Sequence, residues 1–106
     1  MPHLTTHVLD ATAGAPASGV AITLSDAHGD LVGTAVTDAD GRTHFGDDIL
    51  PAGDYALRFE TGDWFRSRGV TAFYPFVTVA FTITDATHCH VPILLSPFAY
   101  STYRGS

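Results

Sequence analysis

Val77-Thr78-Val79-Ala80-Phe81-Thr82-Ile83-Thr84 is the stretch that decides the fold class. Val77, Val79, Phe81 and Ile83 occupy every second position, with Thr78, Ala80, Thr82 and Thr84 between them. Successive side chains of a strand point to opposite faces, so a period of two predicts one buried and one open face. Val20, Ile22 and Leu24 follow the same rule, as do Tyr55, Leu57 and Phe59 against Ala56, Arg58 and Glu60. Further strands are predicted over residues 4–9, 31–37, 89–95 and 99–104, with a short one opening at Arg42.

Turn chemistry separates these runs. Residues 10–18, rich in Gly, Ala and Pro, read as a loop, and His28-Gly29-Asp30 as a tight hairpin connection. Asp38-Ala39-Asp40-Gly41 turns through its carboxylates and glycine, and Pro51-Ala52-Gly53-Asp54 precedes another strand. Asp63-Trp64-Phe65-Arg66-Ser67-Arg68, inside residues 62–69 and closed by Gly69, predicts one short helix. Seven or eight short strands with frequent turns imply an antiparallel sandwich or barrel, with the helix over one edge.

Bulk properties narrow the partners. A chain of 106 residues forms one domain, spanning 1–106, with a single core. Eleven acidic residues stand against five basic ones, all arginine. No basic stripe is present to displace counterions, so neither nucleic acid nor an anionic membrane is expected as partner. The single cysteine, Cys89, forms no internal disulfide, and its alternation with Val91, Ile93 and Leu95 makes it a small core residue. MPHLTTHVLD has neither a basic start nor a long apolar run. No leader is therefore expected, and the cytoplasm is the expected compartment.

The chemistry-bearing residues are histidines, six in all. His88 and His90 share a strand face. His7 falls in the set with Thr5 and Leu9, opposite Leu4, Thr6 and Val8, and so points away from the core if Leu4 and Val8 enter it. Histidine exchanges protons near neutral pH, which makes a pair of them an acid/base candidate. The competing reading is a zinc site of His7, His88 and His90. No HExxH helix and no second thiol support it, and neither a metal nor a cofactor is expected. Arg42 reads either as a surface residue paired with Asp38 or Asp40, or as a planar cationic donor for a carbonyl-rich anion. Phe98, Tyr100 and Tyr103 are unusually apolar for a final segment, which implies that the tail joins a sheet and meets another subunit.

Four segments carry a resemblance: Leu4-Thr5-Thr6-His7-Val8-Leu9-Asp10, Asp38-Ala39-Asp40-Gly41-Arg42, His88-Cys89-His90-Val91-Pro92-Ile93-Leu94-Leu95-Ser96-Pro97, and Tyr100-Ser101-Thr102-Tyr103-Arg104-Gly105-Ser106. In order and spacing they resemble the 5-hydroxyisourate hydrolases, the transthyretin-related proteins. The resemblance implies an all-β, transthyretin-like sandwich of two four-stranded sheets with one short helix. It also implies a homotetramer built as a dimer of dimers, with active sites where the dimers meet.

By that resemblance His7, Arg42 and His90 match the catalytic trio, and Tyr103, Arg104, Gly105 and Ser106 line the same cleft. His88 stays outside the site. The implied substrate is 5-hydroxyisourate, opened by water at a ring carbonyl to a ureidoimidazoline carboxylate in urate degradation. Cys89 departs from the tyrosine often found between the two late histidines, which bears on packing more than on chemistry. Two other readings share the fold, a hormone carrier of the transthyretin type and a non-catalytic sandwich module. The histidine pair, the arginine and the Tyr-Arg-Gly-Ser ending favour the hydrolase.

Overall fold

A computed structural model describes residues 2–46 and 48–106. Nine strands and one helix follow in the order β1 (Leu4–Asp10), β2 (Ala15–Pro16), β3 (Ala21–Asp26), β4 (Leu31–Val36), β5 (Arg42–Phe45), β6 (Gly53–Phe59), α1 (Thr61–Ser67), β7 (Val77–Ile83), β8 (Cys89–Ser96) and β9 (Ala99–Thr102). The alternation read from the sequence is the alternation of burial. Val77 and Ile83 are buried while Thr78, Ala80 and Thr82 are exposed, and Ile22, Leu24, Leu57 and Phe59 lie in the core.

The strands form two sheets. One has the order β4-β3-β6-β7 and is antiparallel throughout. The other runs β2-β1-β8-β9, with β5 also paired to β1. Since β8 takes one edge of β1, β5 and β2 share the other, β5 along Leu4–His7 and β2 at Leu9 and Asp10. This sheet is thus four strands wide, and its outermost position is filled in two pieces. The short β2 lies within the segment expected to be loop.

One pairing departs from the antiparallel expectation: β1 and β8 run parallel along their full contact. They come from opposite ends of the chain, so no hairpin constrains their direction, and the connection between them passes through the other sheet. The core fills the space between the sheets with Leu4, Val8, Ile93 and Leu95 from one side and Ile22, Leu24, Leu57 and Phe59 from the other. Buried polar groups are paired: Thr6 Oγ1 donates to the Val91 carbonyl at 2.6 Å, and Thr37 Oγ1 donates to the Ala17 carbonyl at 2.7 Å. Trp64 and Phe65 of α1 are buried, and the Trp64 indole N–H donates to the Ser18 carbonyl at 2.7 Å, which pins the helix to the sandwich. The tail is tied in by β9, paired to β8 from Ile93↔Thr102 to Ser96↔Ala99, while Phe98 remains 68% exposed. No helix among the described residues is long and apolar enough to cross a membrane.

Candidate active site

The outer face of the β1 sheet carries the polar cluster. Leu4, Thr6 and Val8 enter the core, so Thr5 and His7 point away from it. Strand register supplies their neighbours. Thr5 lies opposite His44 of β5 and His90 of β8, and His7 lies opposite Arg42 of β5. Partners across a ladder share a face, so three strands deliver Thr5, His7, Arg42, His44 and His90 to one surface. A cleft of about 410 Å3 opens there, lined by Thr5, Arg42, His44, His88, His90 and Ser106 among others.

Thr5 stands at its centre. Its Oγ1 lies 2.8 Å from His88 Nε2 and 2.7 Å from His90 Nδ1, so one hydroxyl joins two imidazoles. The two rings lie 6.3 Å apart between centroids and nearly parallel. The clustering that suggested a zinc site is thereby explained by a shared hydroxyl. Burial pushes the His90 ring below its ordinary value, against the opposing pull of Thr5, and the charges of Arg42, His88 and His7 push it the same way as burial. His90 is therefore a neutral ring at neutral pH.

His7 is held separately. Its Nε2 lies 2.9 Å from the Asp40 carbonyl, and a carbonyl only accepts. The hydrogen therefore sits on Nε2, and the neutral ring keeps Nδ1 as its basic nitrogen. The turn beneath it is organised by Asp38, whose Oδ1 accepts the backbone N–H of Asp40 at 2.9 Å and of Arg42 at 3.0 Å. These bonds, that from Arg42 foremost, hold the Asp38 carboxyl below the usual carboxylate range. Gly41 completes the turn at φ +75°, and a Cβ there would overlap the Val8 carbonyl. Among the described residues the Arg42 guanidinium makes no ion pair, so its link to Asp38 runs through the backbone and its charge stays turned to the cleft it lines.

The tail divides. The Gly105 N–H donates to the His90 carbonyl at 2.9 Å, and a Cβ on Gly105 would overlap the His90 ring. Glycine is needed there for close approach. Ser106 then reaches the histidine cleft. Tyr103 and Arg104 do not: within one chain they line a separate cleft of about 320 Å3 between β7 and the tail, with Cys89 and Val91. Within one chain, Gly105 bridges to His90 and Ser106 lines the histidine cleft, while Tyr103 and Arg104 turn toward the other sheet. Burial raises the Cys89 thiol, which suits an inert packing residue better than a nucleophile.

Sequence reasoning leaves His88 outside the site and does not single out Thr5 or His44, yet all three line the cleft, as do Pro2, Thr6, Asp38 and Thr43. The signal for Thr5 was present, since it belongs to the outward set with His7.

A family model described as the HIUase/transthyretin family matches residues 4–105. The chain belongs to the HIUase/transthyretin family. It is 48% identical to 5-hydroxyisourate hydrolase 2 of Rhizobium meliloti, over 97% of this chain and 95% of that protein. Among solved structures, the 5-hydroxyisourate hydrolase of Klebsiella pneumoniae superposes with a TM-score of 0.92 at 42% identity, covering 100% of this chain and 94% of that one. Sea bream transthyretin in complex with thyroxine superposes with a TM-score of 0.90 at 34% identity, covering 97% of this chain and 94% of that one. A shared sandwich therefore serves a hydrolase in one case and holds thyroxine in another, and the residues of the cleft must distinguish them.

Proposed function

We propose that this chain is a hydrolase that opens 5-hydroxyisourate to a ureidoimidazoline carboxylate in urate degradation, its residues 1–106 acting as one domain. The observation that carries the reading is a cleft in which Arg42, His90 and Ser106 meet, with His7 beside Arg42 across the ladder. A cationic, histidine-rich cleft suits a small, flat, carbonyl-rich anion. It does not suit an apolar hormone, so the enzyme reading is preferred to the carrier.

In the proposed reaction a neutral histidine takes a proton from water as the oxygen adds to a ring carbonyl. Arg42 stabilises the oxyanion that develops, and the C–N bond then breaks. Both histidines have the chemistry for this. His90 is kept neutral by its surroundings, and His7 has a free Nδ1. The tail contributes Gly105 and Ser106 within one chain.

We further propose a homotetramer, a dimer of dimers, in which a second copy covers the open side of the cleft. Support comes from the exposure of Phe98 and Tyr103, at 68% and 58%, on an otherwise ordered tail.

The test is direct. 5-Hydroxyisourate generated from urate by a urate oxidase is followed by its ultraviolet absorbance. The protein is expected to accelerate the decay, and His7→Ala, Arg42→Ala and His90→Ala are expected to remove the acceleration. An unchanged decay with folded protein overturns the reading. Size-exclusion mass tests the assembly, expected at four times 11.2 kDa.

A further inference from the structure

We propose that Thr5 and His88 form a proton relay behind His90, so that the proton His90 takes from water passes through the Thr5 hydroxyl to His88. This rests on the hydrolase reading and adds two positioning residues to it.

The geometry couples the hydrogens of the two rings. Thr5 Oγ1 has one hydrogen and two nitrogen neighbours, His88 Nε2 at 2.8 Å and His90 Nδ1 at 2.7 Å. It donates to one ring and accepts from the other, so the rings cannot choose their tautomers independently. The relay assigns the resting hydrogens so that His90 Nδ1–H donates to Oγ1 and Oγ1–H donates to His88 Nε2. His90 then keeps a lone pair on Nε2, the nitrogen that no described group engages, and His88 carries its hydrogen on Nδ1.

The proton count closes. When His90 Nε2 removes a proton from the attacking water, His90 becomes an imidazolium. Its Nδ1 proton moves to Oγ1 as the Oγ1 proton moves to His88 Nε2. His90 is now neutral with hydrogen on Nε2, and His88 holds the positive charge. Return of the relayed proton from His88 through Oγ1 to His90 Nδ1, as the Nε2 proton is delivered to the leaving ring nitrogen, restores the start.

Electrostatics supply the reason for such a relay. His90 is faced by Arg42 and His44 from β5 and by His7 from β1, with the Asp38 carboxylate at the rim of the cleft. A cation formed on His90 is thus poorly placed beside Arg42, and moving it to His88 spreads it over two rings. His88 sits just before β8, bonded to the same Thr5 hydroxyl as His90.

The variants separate relay from packing. Thr5→Val removes the hydroxyl at constant shape, and His88→Gln keeps, in its carbonyl oxygen, an acceptor for the Thr5 hydroxyl but takes up no proton. Each is expected to lower kcat by about 10–100-fold with KM little changed, and to move the acid limb of the kcat pH profile. Thr5→Ser keeps the hydroxyl and is expected to recover the wild-type profile. In 15N spectra of the wild type, His88 and His90 should titrate as one coupled pair, and in Thr5→Val as two independent rings. Wild-type kcat and pH profile in both Thr5→Val and His88→Gln would overturn the relay, as would equal losses in Thr5→Val and Thr5→Ser. If the wild type does not act on 5-hydroxyisourate, the hydrolase reading falls alone. Coupled titration lost in Thr5→Val then still supports the relay, and independent titration in the wild type overturns it. Should Thr5→Val fail to fold, His88→Gln and the wild-type titration decide the matter.

Discussion

Two clefts share strand β8 and differ in almost every respect. On the outer face, His90 helps line a polar cleft with Thr5, Arg42 and His88. Toward the other sheet, Cys89 and Val91 line a cleft with Val79, Phe81 and Ile83 of β7. Adjacent residues of one strand therefore serve opposite environments, as the strand period requires. The histidines gather at the outer cleft, whereas the inner cleft sets Asp85 and Arg104 beside apolar Val79, Phe81, Ile83 and Val91. On the proposed hydrolase reading, a substitution on the outer set should change rate, and one on the inner set should change packing.

The largest effect tests that division outright. His90→Asn is expected to lower kcat by about 10²–10⁴-fold, the usual range for a lost acid/base group. Cys89→Ser, one residue away, is expected to change the rate by no more than about a few-fold. Measured decay rates of 5-hydroxyisourate give the ratio, and similar losses in the two variants would break the comparison.

Arg42→Gln comes next. Loss of an oxyanion donor costs about 10²–10³-fold in kcat, with a second signature in pH. His90 sits below its ordinary 6.5 because of burial first and the Arg42 charge among other causes. A depressed value keeps the ring neutral to lower pH, so the acid limb of kcat/KM in the wild type should lie below 6.5. Without the arginine the His90 titration, read by NMR, should rise part of the way back, since burial remains. By linkage the neutral ring's contribution to stability is present above 6.5 and is lost as pH falls through the folded value. No upward movement in Arg42→Gln would show that the guanidinium does not act on His90.

Gly105→Ala should be milder and act through position. The added Cβ overlaps the His90 ring, so either the ring or the tail must give way. An activity loss of roughly 10-fold is expected from such misplacement, with the fold retained by circular dichroism. Wild-type kinetics would show that the tail is free to lift from His90.

How much of this was readable beforehand follows from which forces act locally. Alternation is local, so the strands, the outward aim of His7 and the inward aim of Cys89 were all legible. The helix was also legible, from Trp64 and Phe65 before a closing glycine. The parallel pairing of β1 with β8 was not, because Thr5 and His90 are 85 residues apart and their register depends on how the sheets assemble. Thr5 went unassigned for the same reason: a threonine on a strand signals nothing until two imidazoles converge on it. Nothing in the sequence divides the tail, and only the bridge at Gly105 separates Ser106 from Tyr103 and Arg104.

The smallest effect probes the inner cleft. Cys89 is half-buried and packs against the core. The cleft beside it, about 320 Å3 and lined by Val79, Phe81 and Val91, has room for a ring without displacing the core. Filling it removes apolar surface from water, while the phenol hydroxyl can stay at the wet rim beside Arg104. Cys89→Tyr is therefore expected to stabilise the fold by about 1 kcal/mol, a rise of roughly 4–8 °C in Tm for a domain of this size. The rate of 5-hydroxyisourate decay should barely move, since the side chain points away from Thr5 and His90. A lower Tm would mean that the cleft is closed in solution, by a second copy or by the tail, and that a ring there overpacks it. A changed rate at constant Tm would mean that the two faces of β8 are coupled, and the separation between the clefts would have to be given up.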